Sequence, residues 1–183
     1  RKVSICDMFV TTNKKHVLPD NLLTLLRLFE GERDKIDTSM SRDGGARQYN
    51  ITDIRIMEDE KIALLYICKK DEFDIDPAFS KSVGKGQFES RIIEKEEGEG
   101  GAAGAHVVVH LEPKPIKDGY SYYAAIESAK GLGRTITESM LRTAFKALYD
   151  ADESSMAALR TTGSKKKPEP YRPIFTISGM PKD

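Results

Sequence analysis

Residues 100–149, GGAAGAHVVVHLEPKPIKDGYSYYAAIESAKGLGRTITESMLRTAFKALY, constrain the fold more than any other part of the chain, because their local signals agree with one another. An apolar run at 107–111 breaks at Pro113-Lys114-Pro115 and again at Asp118-Gly119, then resumes at 120–126, the pattern of two strands joined by a loop. Gly131-Leu132-Gly133 then interrupts the chain. Thr135 and Glu138 have the spacing of a capping box, and Ile136, Met140, Leu141, Ala144, Phe145 and Leu148 recur at helical intervals, so a helix is expected over 135–149. Its opposite face carries Glu138, Arg142 and Lys146.

The rest of the chain supplies the partners such a unit needs. Residues 3–10 alternate in the way of a strand with at least one buried face. Leu22, Leu23, Leu25, Leu26, Leu28 and Phe29, between Pro19-Asp20 and Gly31, read as a short buried helix. Residues 32–46 are charged and glycine-tipped, and are expected to form a surface loop. Strands are expected at 48–57 and 61–68 about a Glu58-Asp59-Glu60 turn, the second apolar on both faces and therefore central. Residues 69–86 read as a connection with a short helix near Pro77, and 87–93 as a further strand. Residues 94–104, EKEEGEGGAAG, are acidic and glycine-rich and read as a flexible loop. After a polar turn at 150–155, residues 156–162 fit a helix continuation or a strand. The pattern predicts an α+β fold, a mostly antiparallel sheet with two main helices packed on it. One domain is expected over 1–162, with 163–183 forming a basic, proline-bearing linker and the start of a further strand or domain at 174–177.

The chain has 183 residues, 32% of them charged, with a net charge of zero, so no molecule-wide field draws it to nucleic acid or an anionic membrane. Any such binding must come from a local patch. Cys6 and Cys68 fall one in each of two expected strands, and a lone pair of cysteines forms neither a disulfide framework nor a metal knuckle; reduced buried thiols are the expectation. No segment approaches the roughly twenty apolar residues of a membrane helix. A cytoplasmic protein without a cofactor and without membrane contact is expected.

Three groups of residues carry chemistry. His106, His110 and Glu112 share a face of a period-two strand and can begin a metal site, with Glu96, Glu97 or Glu99 as a further oxygen ligand, although the spacing matches no zinc signature. Lys130-Gly131-Leu132-Gly133-Arg134-Thr135 sets two glycines and two cations at a helix start, where free N–H groups favour a phosphate, yet it is neither a P-loop nor a dinucleotide fingerprint. Lys130, Arg134, Arg142, Lys146, Lys165, Lys166 and Lys167 are the candidate phosphate contacts, with Arg160 and Arg172 nearby and Tyr171 able to stack on a base. No nucleophile motif or triad spacing is present. For each group a structural role, as solvated face, glycine turn or core, weighs against the functional one.

The order strand, leucine-rich helix, EKIALLYICKKDE strand pair, acidic glycine loop, AHVVVHLEP, YSYYAAIE and GLGRTITESML resembles the layout of the RexA-like exclusion proteins of phage lambda and of prophage and defence-associated proteins similar to them. The resemblance covers most of residues 3–148 and rests on element order, not on a diagnostic motif. It implies a DNA-associated, non-enzymatic sensor that acts in phage exclusion, a homodimer with a partner protein of a defence system. Beside it stand two alternatives, a metal-dependent nuclease or related hydrolase using His106, His110 and Glu112, and a protein-interaction or self-assembly module.

Overall fold

The structure is a computed structural model that describes residues 2–14, 17–76, 78–84, 87–151 and 171–179. Among these residues the sheet dominates, with ten strands and two α-helices. The strands are β1 (Lys2–Thr12), β2 (Met40–Arg42), β3 (Arg47–Met57), β4 (Ile62–Asp71), β5 (Ala78–Gly84), β6 (Gln87–Ile92), β7 (Gly101–His110), β8 (Lys114–Ile116), β9 (Gly119–Ser128) and β10 (Pro173–Gly179); the helices are α1 (Leu22–Glu32) and α2 (Arg134–Ala151). Eight strands form one antiparallel sheet in the order β10-β1-β9-β7-β4-β3-β2, with β8 beside β9 where β7 has ended. β5 and β6 pair only with each other, as a separate two-stranded ribbon.

Strand alternation decides which side chains make the core. Cys6, Met8 and Val10 of β1, Tyr122, Ala124 and Ile126 of β9, Ala105, Val107 and Val109 of β7, and Ala63, Leu65 and Ile67 of β4 are all buried on one face. Both helices lie on it. α1 contributes Leu22, Leu25, Leu26 and Phe29, and α2 contributes Met140, Leu141, Ala144, Phe145 and Leu148. Phe145 joins the layers, its ring centroid 5.8 Å from that of Phe29 and 4.8 Å from that of Phe175 in β10. Asn21 caps α1 by accepting the Thr24 N–H at 2.9 Å, and the Leu22 N–H donates to the buried Tyr122 hydroxyl at 2.9 Å.

Several expectations are corrected. α1 continues through Gly31 to Glu32, because its packing outweighs one poor helix former. The expected loop at 32–46 contains β2, paired with β3, and a 3₁₀ turn at Asp43–Gly45 in which Gly44 has φ +70°. Pro77 lies outside the described residues, and from Ala78 the chain is strand rather than helix. The acidic glycine loop ends at Gly101: residues 101–104 pair with β4 from Asp71 to Cys68, since small residues can be ordered by main-chain bonds alone. Gly104 also leaves room for the Tyr66 hydroxyl, which a Cβ there would meet. The capping box does not form, because α2 already starts at Arg134 and Thr137 bonds back to the Gly133 carbonyl through both its N–H (2.9 Å) and its hydroxyl (3.0 Å). β10 pairs with β1 from Thr12↔Pro173 to Cys6↔Gly179 and so belongs to the same sheet. The expected linker at 163–170 lies outside the described residues.

Candidate nucleic-acid interface

The helical period that buries Met140, Leu141, Ala144, Phe145 and Leu148 leaves a polar stripe on the outside of α2: Arg134, Glu138, Arg142 and Lys146 at four-residue steps. At 1.5 Å rise per residue the stripe from Arg134 to Lys146 is about 18 Å long. Arg134 and Lys146 are exposed and have no ion pair among the described residues. Arg142 is tied down. Its Nη2 lies 2.9 Å from Glu138 Oε1, and it donates to the Phe175 carbonyl (Nε, 2.5 Å) and the Thr176 hydroxyl (Nη2, 3.1 Å). Part of its guanidinium still faces solvent, with the side chain 47% exposed.

Lys130 stands at the tip of a tight turn closed by reciprocal main-chain bonds between Ala129 and Leu132 (3.1 and 2.9 Å). The next residue, Gly131, has φ +72°, a conformation that favours glycine, and sits directly over the Lys69 side chain. Lys130 Nζ is 2.5 Å from Asp74 Oδ1, and this hydrogen bond raises the lysine's pKa, so it stays charged. Beneath the turn, at the core-side end of β4, Lys69 and Asp71 form a buried ion pair at 2.6 Å, with Arg47 Nε 3.1 Å from the same carboxylate oxygen. Glycines and cations therefore do come together at the start of α2, with Lys130 occupied by Asp74.

Lys165, Lys166, Lys167 and Arg160 lie outside the described residues. Arg172 is 4.0 Å from Asp150, and Tyr171 is buried with its ring 6.5 Å from that of Tyr149, which removes it as an exposed stacking platform.

The histidine strand faces away from the helices, on the open side of the sheet. His106 Nδ1 lies 3.0 Å from Glu127 Oε2, the same oxygen accepts the His106 main-chain N–H at 3.1 Å, and the imidazole centroid is 4.9 Å from that of the Tyr66 ring, the two planes tilted by 38°. His110 is next to Ile62 in the β4–β7 register, and Glu112 faces Lys61 at 3.5 Å. Among the described residues no group of three or more His, Cys, Asp or Glu side chains is arranged to hold a metal ion. No described helix is long and apolar enough to cross a membrane.

Comparison with protein-family models, with curated proteins and with solved structures finds no match.

The strand expected at 87–93 is β6, but β5 and its pairing with β6 as a ribbon were passed over; the ribbon presents Phe79, Lys81 and Arg91 to solvent. A signal was present in Phe79-Ser80-Lys81-Ser82-Val83, alternating up to Gly84-Lys85-Gly86 and followed by another strand, which is a hairpin pattern. Pro77 and the many charges obscured it.

Proposed function

We propose that the protein is a non-enzymatic, nucleic-acid-associated interaction protein of a phage-exclusion or anti-phage defence system. The observation that carries the nucleic-acid reading is the exposed face of α2, where Arg134 and Lys146 flank the anchored Arg142 over about 18 Å. One DNA strand carries a charge about every 3.4 Å along the axis, so such a stripe spans about five phosphates without reading their sequence. Glu138 lies within the stripe, but its carboxylate is spent on Arg142 and on the Ile177 N–H. The assignment to phage exclusion rests on the resemblance in element order to RexA-like proteins.

The test is a duplex-DNA titration at several salt concentrations. Binding should weaken steeply with salt, and Arg134→Ala with Lys146→Ala should reduce the slope of log K against log salt by about two. A missing or salt-insensitive shift removes the nucleic-acid reading. Plating efficiency of infecting phage, with and without the protein, tests the exclusion role.

A second reading, self-association, is favoured by the open face of the sheet. Ile5, Ala125, Val108 and Leu64 form an apolar row across four strands, and Val3 and Ile5 remain 57% and 54% exposed. A second copy packed face to face would cover this row. Mass in solution decides it: a concentration-dependent dimer abolished by Ile5→Lys is expected, and a monomer at all concentrations overturns it.

A further inference from the structure

We propose that the β5–β6 ribbon is an arm that inserts into a groove of duplex nucleic acid, an inference that rests on the nucleic-acid reading and names a second, separate contact for it. The ribbon has no partner strand in the main sheet, and a two-stranded ribbon without a third strand or a covering helix is marginal in water. Its dimensions suit a groove. The seven residues of β5 extend about 23 Å, and two strands with their side chains fit the major groove, which is about 12 Å wide.

The chemistry on the ribbon is that of a groove reader. The cross-strand register sets Phe79 opposite Arg91 and Lys81 opposite Glu89, and the Arg91 guanidinium lies 5.6 Å from the Phe79 ring centroid. On the other face Ser80 and Ser90 share a hydrogen bond at 2.8 Å, which leaves hydroxyl oxygens as acceptors. In a chain of zero net charge, residues 78–92 carry Lys81, Lys85 and Arg91 against Glu89 alone. Phe79 and Ile92 are 53% and 65% exposed; thymine methyls in the major groove would cover such groups. A partner made only of apolar surface would leave the cations unpaired, and phosphates pair them.

Position supports the assignment. Of the acidic residues at the ribbon's base, Asp74 is paired with Lys130 and Asp76 with Lys95 at 3.5 Å, while Glu94, Glu96, Glu97 and Glu99 of the loop that follows β6 are exposed. The Lys130–Asp74 contact also places the base of the ribbon beside the start of α2, four residues before Arg134. The base of the arm and the cationic stripe thus lie close together at the start of α2.

The experiment measures binding of the full chain to a fluorescent duplex across a salt series, for the wild type, Lys81→Ala/Arg91→Ala and Phe79→Ser. These side chains are exposed, so thermal unfolding should stay close to wild type. The double variant is expected to bind roughly tenfold or more weakly with a salt slope smaller by about two, and Phe79→Ser to bind more weakly at an unchanged slope. Methyl green, which occupies the major groove, should compete, whereas netropsin in the minor groove should not. If the wild type binds and both ribbon variants match it in affinity and slope, the arm is overturned while the α2 reading stands. If the ribbon variants change only the mass in solution, the ribbon is a protein contact and the inference is overturned. Failure of the wild type to bind any duplex removes the α2 reading and the arm together.

Discussion

Glu138 and Ile177 are 39 residues apart in the chain, yet the Glu138 carboxylate accepts the Ile177 main-chain N–H at 2.8 Å. One turn further along α2, Arg142 donates to the Phe175 carbonyl of the same strand. β10 is an edge of the sheet, and edges with free N–H and C=O groups recruit other chains. α2 satisfies this edge with side chains. Glu138→Ala should cost about 1–3 kcal/mol, because it strands a main-chain donor and unpairs Arg142, whereas Glu138→Gln, which keeps an acceptor, should cost less. Urea unfolding reads both. Wild-type stability in the alanine variant would show that water serves the edge equally well.

Tyr122 joins α1 to the centre of the sheet. Its hydroxyl accepts the Leu22 N–H, one of the free donors of the first helical turn, and burial pushes its pKa up. Tyr122→Phe keeps the ring and loses the acceptor, so a loss of about 1–2 kcal/mol is expected, with faster hydrogen exchange at the Leu22 amide than elsewhere in α1. Unchanged exchange at Leu22 would mean the bond is not what holds the helix start.

Asp71 links stability to pH. The hydrogen bond from Lys69 is the main cause of its lowered pKa, aided by the Phe73 N–H and by Lys69 and Arg47, against the cost of burial. Its folded value therefore lies below the ordinary 3.8, so its contribution is complete above that value and is lost as pH falls through the folded value. Unfolding followed downward from neutral pH should show an acid limb that Asp71→Asn flattens. An identical limb in the variant would place the acid sensitivity elsewhere.

The two cysteines should differ in reactivity. Burial is the first cause pushing Cys6 up to about 11, with Arg134 acting in the opposite direction, so at pH 8 almost none of it is thiolate. Cys68 is half-buried on the open face beside Thr52, 3.4 Å away. Alkylation of the native protein should label Cys68 first and Cys6 only on unfolding, read by mass spectrometry. Because the folded pKa of Cys6 is raised, its contribution to stability is complete below its unfolded value and falls as pH rises above that value. Early labelling of Cys6 would contradict its burial.

Much of the framework was legible because it is written in local periods. Residues 136–148 repeat with the helical period, so the inward set there follows directly, whereas 107–111 and 120–126 are apolar runs that mark strands without saying which side chains face in, and Tyr123 faces out. The ends of elements were less legible. Gly101 to Gly104 were read as loop because glycine and alanine carry no strand preference, yet Asp71 to Cys68 opposite them supply hydrogen bonds that only the paired strand reveals. Gly31 failed as a stop for a similar reason, since Phe29 packing on Phe145 holds the last turn of α1 in place.

For the candidate site the division is sharper. Spacing alone determined that Arg142 and Lys146 share the helix face of Glu138 and that Lys130 and Arg134 lie at the helix start, whereas the place of Arg134 in the first turn of α2 came from the structure. Which of those charges remain available was decided by partners distant in sequence: Asp74 takes Lys130, and Phe175 and Thr176 take Arg142. The same holds for His106, whose strand face follows from alternation and whose pairing with Glu127 follows only from β7 lying beside β9. Periodicity is a property of the chain and can be read along it. A charge's partner is a property of the sheet order and of the helix laid across it, and long-range packing alone settles which groups meet.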